Sequence, residues 1–389
     1  MSTTPLRIAL FTHSVNPRGG VVHTLELGRA LQDAGHEVTI FAPSVNGARM
    51  FRASPCRIVL APVDAHGNDT VSMVQMRIDA LKAALRDDAP SDYDVLHAQD
   101  GIGGNALAEL RQEGAIRGFV RTVHHLDAFS DPRLIEWQRR AYADADAVFC
   151  VSDTWTRRML KDYGTAASTV SNGVDVERFR VEYAGNDTRA VAKFGIDGAP
   201  VVLAVGGIEA RKNTLQLLDA FALFRRTHSG GQLVIAGGAS LLDHDAYTRR
   251  FVARATELNL AIGRGEPIVV TGALHDDEIP ALMRRADVVS MVSLCEGFGL
   301  VVLEALAVGT PVVVSRIEPF TEYLNDRVCC WAQPDDAGSI AQALQYALDR
   351  RGGIDFEYAV PDLLDRFSWR ESARCHIGLY RRYAQPAAA

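Results

Sequence analysis

Long hydrophobic runs are missing from this sequence. Apolar residues make up 48% of the 389 positions. The apolar stretches, such as 201–205 and 312–314, are nevertheless far shorter than the roughly 20 residues that a membrane-spanning helix needs. A short polar tail and a strand-like segment at 7–11 stand at the N-terminus in place of a signal peptide. We therefore expect neither a membrane span nor secretion, and we predict a cytoplasmic protein.

A basic excess and paired cysteines are missing as well. The chain has 41 basic and 48 acidic residues and a formal charge of −7, which excludes a general nucleic-acid binder. The six cysteines form no C-x-x-C pair and no metal-like spacing with histidines, so we expect reduced structural thiols. A G-x-x-x-x-G-K-[ST] phosphate loop is also absent.

The sequence does contain two successive series of short apolar segments that alternate with amphipathic ones. The first series predicts strands at 8–12, 37–42, 95–97, 119–123 and 147–151, and helices at 21–34, 72–86, 104–112, 132–143 and 153–161. The second predicts strands at 201–205, 232–236, 267–271, 287–292 and 311–314, and helices at 214–226, 246–258, 276–285 and 300–307. Such alternation indicates parallel sheets with helices on both faces, so the predicted fold class is α/β with two doubly wound domains.

Turn residues between the two series mark the domain boundary. We place the hinge in 172–200, and predict an N-terminal domain at 1–171 and a C-terminal domain at 172–367. The amphipathic segment 368–389 is expected to form a helix that packs back on the first domain. Two such domains should face each other across a cleft, with ligands bound at the loops after the carboxyl ends of the strands.

The loop after the first predicted strand ends in Gly19-Gly20, directly before a helix. Paired glycines at a helix N-terminus let a ligand approach unpaired N–H groups, and the helix dipole there favours phosphate. An ordinary strand-to-helix turn would use glycine in the same way. The loop alone does not decide between these interpretations.

A second loop carries Glu296 before a glycine-rich helix start, and Glu304 follows about two turns later. The backbone N–H groups of Phe298, Gly299 and Leu300 should point out of the helix end. The rest of this helix is nearly all apolar, and a buried carboxylate such as Glu304 needs partners. Two carboxylates beside such a helix start suit a ligand with several hydroxyl groups and a phosphate.

A third loop, after the strand at 201–205, contains Arg211 and Lys212 just before a helix. Both side chains are placed to reach a phosphate. An isolated Arg-Lys pair at a helix start is more often solvated. This loop is therefore a candidate phosphate site only in combination with the two loops described above.

Together the three loops resemble those of the retaining glycosyltransferases with two Rossmann-like domains (GT-B), specifically glycosyltransferase family 4. The resemblance runs from Arg7 to about Tyr383. Its most specific element is the E-x7-E signature from Glu296 to Glu304. The supporting elements are Gly19-Gly20, the segment 34–38 that enters the second strand, and the segment 171–175 at the hinge.

The resemblance implies a role for each candidate residue. In the family, the first glutamate and the backbone after it hold the donor sugar, the second glutamate binds the ribose, and the basic residues neutralise the leaving diphosphate. By position these roles fall on Glu296 with Gly297, Phe298, Gly299 and Leu300, on Glu304, and on Arg211 with Lys212. Many members have an arginine where this chain has Gly207, so Arg211 is the candidate replacement for that contact.

A histidine and three acidic strings complete the candidates. The family places a histidine near the transferring sugar, which by position is His124; its neighbour His125 is expected to pack, and His97 is a weaker strand-end candidate. Metal-dependent glycosyltransferases of another fold use Asp-x-Asp, a pattern found here at 92–94, 144–146 and 243–245. Each string stands before a strand or at a helix start, where acids act as caps. We expect no catalytic metal and no cofactor.

The function that the resemblance implies is transfer of a sugar from a nucleotide-sugar donor to a hydroxyl acceptor with retention of configuration. A sugar-nucleotide epimerase and a non-catalytic nucleotide-sugar-binding protein remain as alternatives. The acceptor is open between a sugar, a small molecule and a lipid-linked group. The stretch 133–140 is read as an amphipathic surface helix, with a peripheral membrane contact as the alternative.

Overall fold

The structure is a computed structural model that describes residues 4–64, 69–182, 185, 187–237, 245–349 and 355–384. The chain forms two compact units. Unit 1 comprises residues 1–173 and 367–389, and unit 2 comprises residues 174–366. The first two residues of the predicted Asp-x-Asp string at 243–245 lie outside the described residues.

Unit 1 is built on a seven-stranded parallel sheet with the order β3-β2-β1-β4-β5-β6-β7. Its strands are β1 (Arg7–Phe11), β2 (Glu37–Val45), β3 (Arg57–Val63), β4 (Val95–Ala98), β5 (Val120–Val123), β6 (Ala147–Cys150) and β7 (Ala167–Thr169). The order reverses direction between β1 and β4. A sheet of this kind binds ligands outside the carboxyl ends of the strands at such a switch point.

Helices cover both faces of the unit 1 sheet. They are α1 (Gly19–Asp33), α2 (Thr70–Asp87), α3 (Gly101–Gln112), α4 (Pro132–Ala143), α5 (Asp153–Tyr163) and, from the end of the chain, α14 (Trp369–Ala384). Gly28 of α1 lies against Leu10, whereas Gly103 of α3 lies against Phe11. Because neighbouring strand residues point to opposite faces, α1 and α3 lie on opposite sides of the sheet. Helix α14 packs against α1.

Unit 2 repeats the architecture with a six-stranded parallel sheet of order β10-β9-β8-β11-β12-β13. Its strands are β8 (Val201–Val205), β9 (Gln232–Ala236), β10 (Ile268–Val270), β11 (Val288–Met291), β12 (Val312–Ser315) and β13 (Cys330–Ala332). Its helices are α6 (Asp187–Phe194), α7 (Thr214–Phe224), α8 (Asp245–Glu257), α9 (Glu278–Arg285), α10 (Leu300–Ala307), α11 (Phe320–Tyr323), α12 (Ala337–Asp349) and α13 (Ala359–Arg366). The switch point lies between β8 and β11.

The central strands of unit 2 show why its sequence reads as continuous apolar runs. Val202 and Ala204 of β8 pack in one core with Phe221 of α7 and Leu344 of α12, and all four are buried. A parallel sheet covered on both faces has no solvent side, so its strands need apolar residues at every position. The predicted fold class, two doubly wound Rossmann-like domains, is confirmed.

Two further findings bear on the expectations from sequence. No helix in the described ranges is long and apolar enough to cross a membrane. All six cysteines are free thiols.

Candidate active site

The loops after β8 and β11 meet at the switch point of unit 2. The backbone N–H of Leu294 donates to the carbonyl of Arg211 at 2.9 Å. Asn213, in a left-handed conformation (φ 60°), donates from its amide to the carbonyl of Val292 at 3.1 Å. These bonds fix the two loops against each other, although they are far apart in the sequence.

Glu296 is the centre of this meeting point. Its Oε1 lies 2.8 Å from Nζ of Lys212, and its Oε2 lies 3.0 Å from Nη1 of Arg211. Arg211 also lies 3.8 Å from the Glu209 carboxylate. Burial would raise the pKa of Glu296, but Lys212 and Arg211 outweigh it and lower the pKa to about 2. The carboxylate is therefore charged at neutral pH, and both of its oxygens are held by cations.

Glycines allow Lys212 to reach this position. Gly206 has φ +127°, and a Cβ atom there would stand 2.7 Å from Cε of Lys212. Gly207 has φ +78°, in the left-handed region that favours glycine. Many family members have an arginine where this chain has Gly207. An arginine could adopt the backbone conformation of Gly207 only with strain. Arg211 supplies a guanidinium in the same loop.

The segment after Glu296 leads directly into α10. Phe298 is buried and stacks on Tyr323 with ring centroids 4.9 Å apart, and the Tyr323 hydroxyl donates to the Phe298 carbonyl at 2.8 Å. Gly299 precedes the helix with φ +95°. Gly297 is buried, whereas Leu300 and Glu304 are half-buried, Glu304 on the second turn of α10. Tyr323 therefore packs against the segment that leads into α10 and hydrogen-bonds to its backbone.

In unit 1, Gly19 and Gly20 begin α1 beside the loop after β1. Gly19 is exposed. A Cβ atom built on Gly20 would lie 3.9 Å from the His13 ring. His13 Nδ1 lies 3.4 Å from Oδ2 of Asp100, which follows β4. This contact joins the loops after β1 and β4 at the switch point of unit 1, as Lys212 and Glu296 do in unit 2.

His124 follows β5 and lies against α1. It is half-buried, and its ring meets the ring of buried His23 edge-on, with centroids 4.6 Å apart. Burial, together with the nearby His23 and Arg121, lowers the pKa of His124 well below its usual value. His124 is therefore a neutral imidazole at pH 7. Among the described residues, its Nε2 has no hydrogen-bond partner.

The two other histidine candidates lie in different surroundings. His125 is exposed, rather than packed, and lies 3.4 Å from Asp127. His97 is completely buried and bonds to the hydroxyls of Tyr380 at 2.6 Å and Thr122 at 2.8 Å. The structure thus gives His97 protein partners on both ring nitrogens.

The aspartates of the strings at 92–94 and 144–146 have protein partners. Asp94 accepts from the backbone N–H of Arg7 at 2.8 Å, and Asp146 accepts from that of Phe119 at 2.9 Å and pairs with Arg111 at 2.8 Å. In the part of the chain that the structure describes, no group of three or more His, Cys, Asp and Glu side chains is arranged to hold a metal ion.

Several residues of these sites were not singled out from the sequence. They are Asn213, Tyr323, His13 and Asp100. Asn213 stands directly before a helix, which is a readable signal for a cap, but its contact with Val292 depends on the strand order. Asp100 likewise caps α3 through Gly103, and its proximity to His13 could not be read from local pattern.

Comparison with known proteins agrees with this geometry. The family model described as Glycosyl transferases group 1 matches residues 186–357, and the model described as Glycosyltransferase Family 4 matches residues 17–178. A D-inositol 3-phosphate glycosyltransferase of Acidothermus cellulolyticus is 28% identical over 97% of this chain and 90% of its own length. A GDP-mannose-dependent alpha-(1-6)-phosphatidylinositol monomannoside mannosyltransferase of Mycobacterium tuberculosis is 29% identical over 80% of each chain.

A solved structure supports the same fold. The sucrose-phosphate synthase of Thermosynechococcus elongatus superposes with a TM-score of 0.77 at 22% identity, over 97% of this chain and 99% of the other. Between them, the two family models match most of the sequence and both units. The chain therefore belongs to glycosyltransferase family 4 and is a glycosyltransferase with two Rossmann-like domains.

Proposed function

We propose that this protein transfers a sugar from a nucleotide-activated donor to a hydroxyl acceptor with retention of configuration and without a divalent cation. The observation that carries the proposal is the ion-pair cluster of Glu296, Lys212 and Arg211 at the switch point of unit 2. It places two cations and one carboxylate directly before the N-terminus of α10. A nucleotide sugar offers the matching groups, a diphosphate and several hydroxyls.

The cations suit the charge that develops during transfer. As the bond between the sugar and the diphosphate breaks, negative charge grows on the leaving oxygen. Lys212 and Arg211 bring two cations to this position, and Arg211 is about one-third exposed, so it is accessible to a ligand. Preorganised cations and a helix N-terminus stabilise the transition state more than the ground state.

The state of Glu296 supports a route without an enzyme nucleophile. Both carboxylate oxygens are engaged by cations, and its pKa of about 2 makes it a weak base. We therefore assign Glu296 to holding the sugar and orienting Lys212, and not to attack on the anomeric carbon. In a front-face reaction, the leaving diphosphate oxygen takes the proton of the acceptor hydroxyl, and the configuration is retained.

Residues of the other candidate segments complete the proposal. Glu304, on the second turn of α10, is assigned to the ribose hydroxyls. We assign the neutral imidazole of His124 to a sugar hydroxyl, because its Nε2 is a buried ring nitrogen that has no partner among the described residues. Gly19 and Gly20 give a ligand access to the backbone at the start of α1. The mannosyltransferase relative, named for its dependence on GDP-mannose, supports a nucleotide-sugar donor.

The test combines donor identification with product stereochemistry. A thermal-shift screen against UDP, GDP, ADP and dTDP and their sugars should give one responding pair, since a ligand at 100 Kd stabilises the folded state by about 2.7 kcal/mol. Proton NMR of the product made with that donor should show the anomeric configuration of the donor. Lys193→Ala, which removes a partly buried ion pair with Glu278, serves as a control in unit 2.

Each component of the proposal has an outcome that would contradict it. An inverted product would overturn retention, and a flat response to every nucleotide would overturn the donor site. Sugar isomers that form from the donor alone, without acceptor, would favour an epimerase instead.

A further inference from the structure

Arg121 is a buried cation in the middle of the unit 1 sheet. It lies on β5 opposite Ala98 of β4, which in turn lies opposite Phe11 of β1. Its side chain therefore points to the face of the sheet that α3 covers. Arg121 is only 5% exposed. Among the described residues, its Nε and Nη1 have no hydrogen-bond partner.

Two other arginines in this protein show how a guanidinium is normally paired. In unit 2, the buried Arg284 binds both oxygens of Asp187, at 2.6 and 2.7 Å. In unit 1, the half-buried Arg140 bonds to Glu109 and to Asn105, each at 2.6 Å. A buried charge without a partner is strongly destabilising, so it is normally paired. Burial lowers the pKa of Arg121 only to about 10, so the guanidinium remains charged at pH 7.

A second buried arginine on the same side of the sheet adds to this charge. Arg77 of α2 is 8% exposed; its Nη1 donates to the His13 carbonyl at 3.4 Å, and in the described ranges its Nε has no partner. Asp100 is the nearby carboxylate that attracts both Arg77 and Arg121. However, its Oδ1 accepts from the N–H of Gly103 at 2.8 Å, and its Oδ2 lies 3.4 Å from His13. Among the described residues, Oδ2 has no hydrogen-bond partner, so one carboxylate stands beside two guanidinium groups and the His13 ring.

The start of α3 follows Asp100 directly and has free space at its first residue. Gly101 is the first residue of the helix, and a Cβ atom built there would meet nothing within 4 Å. The first N–H groups of a helix have no partner within the helix, and its dipole favours an anion at that end. The open glycine therefore stands directly after Asp100, at the carboxyl end of β4 and next to the end of β5.

We propose that Arg121, Arg77 and the N-terminus of α3 form a subsite for an anionic group, a phosphate or a carboxylate, on the acceptor. The assignment of this anion to the acceptor rests on the proposed transferase function, whereas the anion site itself does not. An anion of one or two negative charges would balance the positive charge of the two arginines. Its oxygens would accept hydrogen bonds from the unpartnered N–H groups of Arg121. Guanidinium groups bind phosphate and carboxylate with two parallel hydrogen bonds.

The first test is binding without any sugar chemistry. Inorganic phosphate is titrated by calorimetry into the wild-type protein and into Arg121→Met, Arg77→Met and the control Arg140→Met. The first two variants should weaken phosphate binding about tenfold or more, as expected for loss of a charged hydrogen bond, and the control should stay within about twofold. Lys212→Ala should keep the unit 1 phosphate site, which separates it from the donor site. If Arg121→Met does not fold, Arg77→Met and Arg121→Lys carry the test.

Two results would overturn the subsite. One is phosphate binding that is unaffected by both Arg121 and Arg77 variants. The other is the lack of any phosphate or acetate binding to the wild-type protein, which would mean that water satisfies the buried arginines.

The second test identifies the source of the anion. Glucose, glucose 6-phosphate and glucuronate are compared as acceptors with the donor found by the thermal-shift screen. We expect at least about tenfold higher kcat/KM for an anionic member, with the phosphate or the carboxylate arm identifying the group. A preference for neutral glucose would overturn the inference and leave the transferase proposal standing. Loss of all donor turnover would instead count against the proposed function, while the phosphate titration would still decide the anion site.

Discussion

Lys212 and Glu296 are 84 residues apart in the sequence, yet Nζ of the first lies 2.8 Å from Oε1 of the second. The family resemblance of the sequence implied separate roles, with Glu296 at the sugar and Lys212 at the diphosphate. The ion pair makes the two residues one unit, because each determines the electrostatic surroundings of the other. Substitutions at either position should therefore be measured on stability as well as on turnover.

Lys212→Ala should lower kcat on the order of a hundredfold at saturating donor, because it removes one preorganised cation from the leaving group. It also leaves the buried Glu296 with Arg211 as its remaining basic partner, so the free energy of unfolding should fall by about 1–3 kcal/mol. Steady-state kinetics and urea unfolding measure the two effects. Turnover within threefold of the parent would refute the role of Lys212. A comparable loss in Arg211→Ala would mean that both cations reach the diphosphate.

Substitutions of Glu304 and Glu296 should have different effects, the first on nucleotide binding and the second on catalysis. Glu304→Gln should weaken binding of the free nucleotide, because a ribose contact is lost. Glu296→Gln should slow transfer but leave nucleotide affinity nearly unchanged or raised, since Lys212 and Arg211 then lose a competing carboxylate. Calorimetry with the nucleoside diphosphate distinguishes them. Equal loss of nucleotide affinity in both variants would contradict the assignment.

The sequence predicted the core of the fold well and its edges poorly. The strands at 201–205 and 232–236 and the helix at 132–143 occur with the predicted bounds, because buried parallel strands and amphipathic helices have clear periodic signals. The strands β3 and β7 and the helices α6, α11, α12 and α13 were not predicted. β7 is three residues long, α11 is four, and α6 and α13 are eight each. Elements this short form through pairing with neighbours, which local sequence does not encode.

The candidate site shows the same limit. Local spacing pointed to Glu296, Lys212 and the start of α10, since all three lie in loops between regular elements. It could not show that Lys212 and Glu296 form a pair, because their contact depends on β8 lying next to β11. Arg121 was missed for a related reason: a charged residue on a short strand carries no signal until its burial and lack of partners are known.

Activity should persist in EDTA and should not be restored or raised by manganese or magnesium. Lys212 and Arg211 provide positive charge where a metal-dependent enzyme would hold a cation, and the carboxylates of Asp94 and Asp146 bond to backbone N–H groups. Initial rates after dialysis against EDTA, with and without added cation, test this prediction. Complete loss of turnover that manganese or magnesium restores would overturn it.

Gly299→Ala should destabilise unit 2 and disturb the start of α10. The residue has φ +95°, and a Cβ atom there would stand 2.3 Å from Cε1 of the buried Phe320. The left-handed backbone and the overpacking together should cost about 2–4 kcal/mol. Gly378→Ala is the matched control, because its Cβ would meet nothing within 4 Å at an exposed position of α14, where alanine is the better helix former. Equal unfolding midpoints for the two variants would show that Gly299 is not constrained.

Stability should fall as the pH drops below about 6.5, because unit 1 buries neutral histidines. Burial lowers the pKa of His23 to about 3 and that of His376 to about 4. Their rings lie 6.2 Å apart, and His97 lies 5.9 Å from His376. The unfolded chain takes up these protons near pH 6.5, whereas the folded chain does not until its own lower pKa is reached. Each histidine should therefore lower the free energy of unfolding by about 1.4 kcal/mol per pH unit across that window, with no effect above it.

The variant His376→Gln isolates this contribution. Glutamine cannot titrate, so the slope of unfolding free energy against pH between about 6.5 and 4 should become shallower by roughly 1.4 kcal/mol per pH unit. His228→Gln, at a half-buried position in unit 2 away from the histidine cluster, is the control and should keep the wild-type slope. Urea unfolding at pH 7.5, 6.5, 5.5 and 5 gives the slopes directly. Parallel pH profiles for the wild type and His376→Gln would mean that His376 is protonated in the folded state, contrary to its burial between α14 and the sheet.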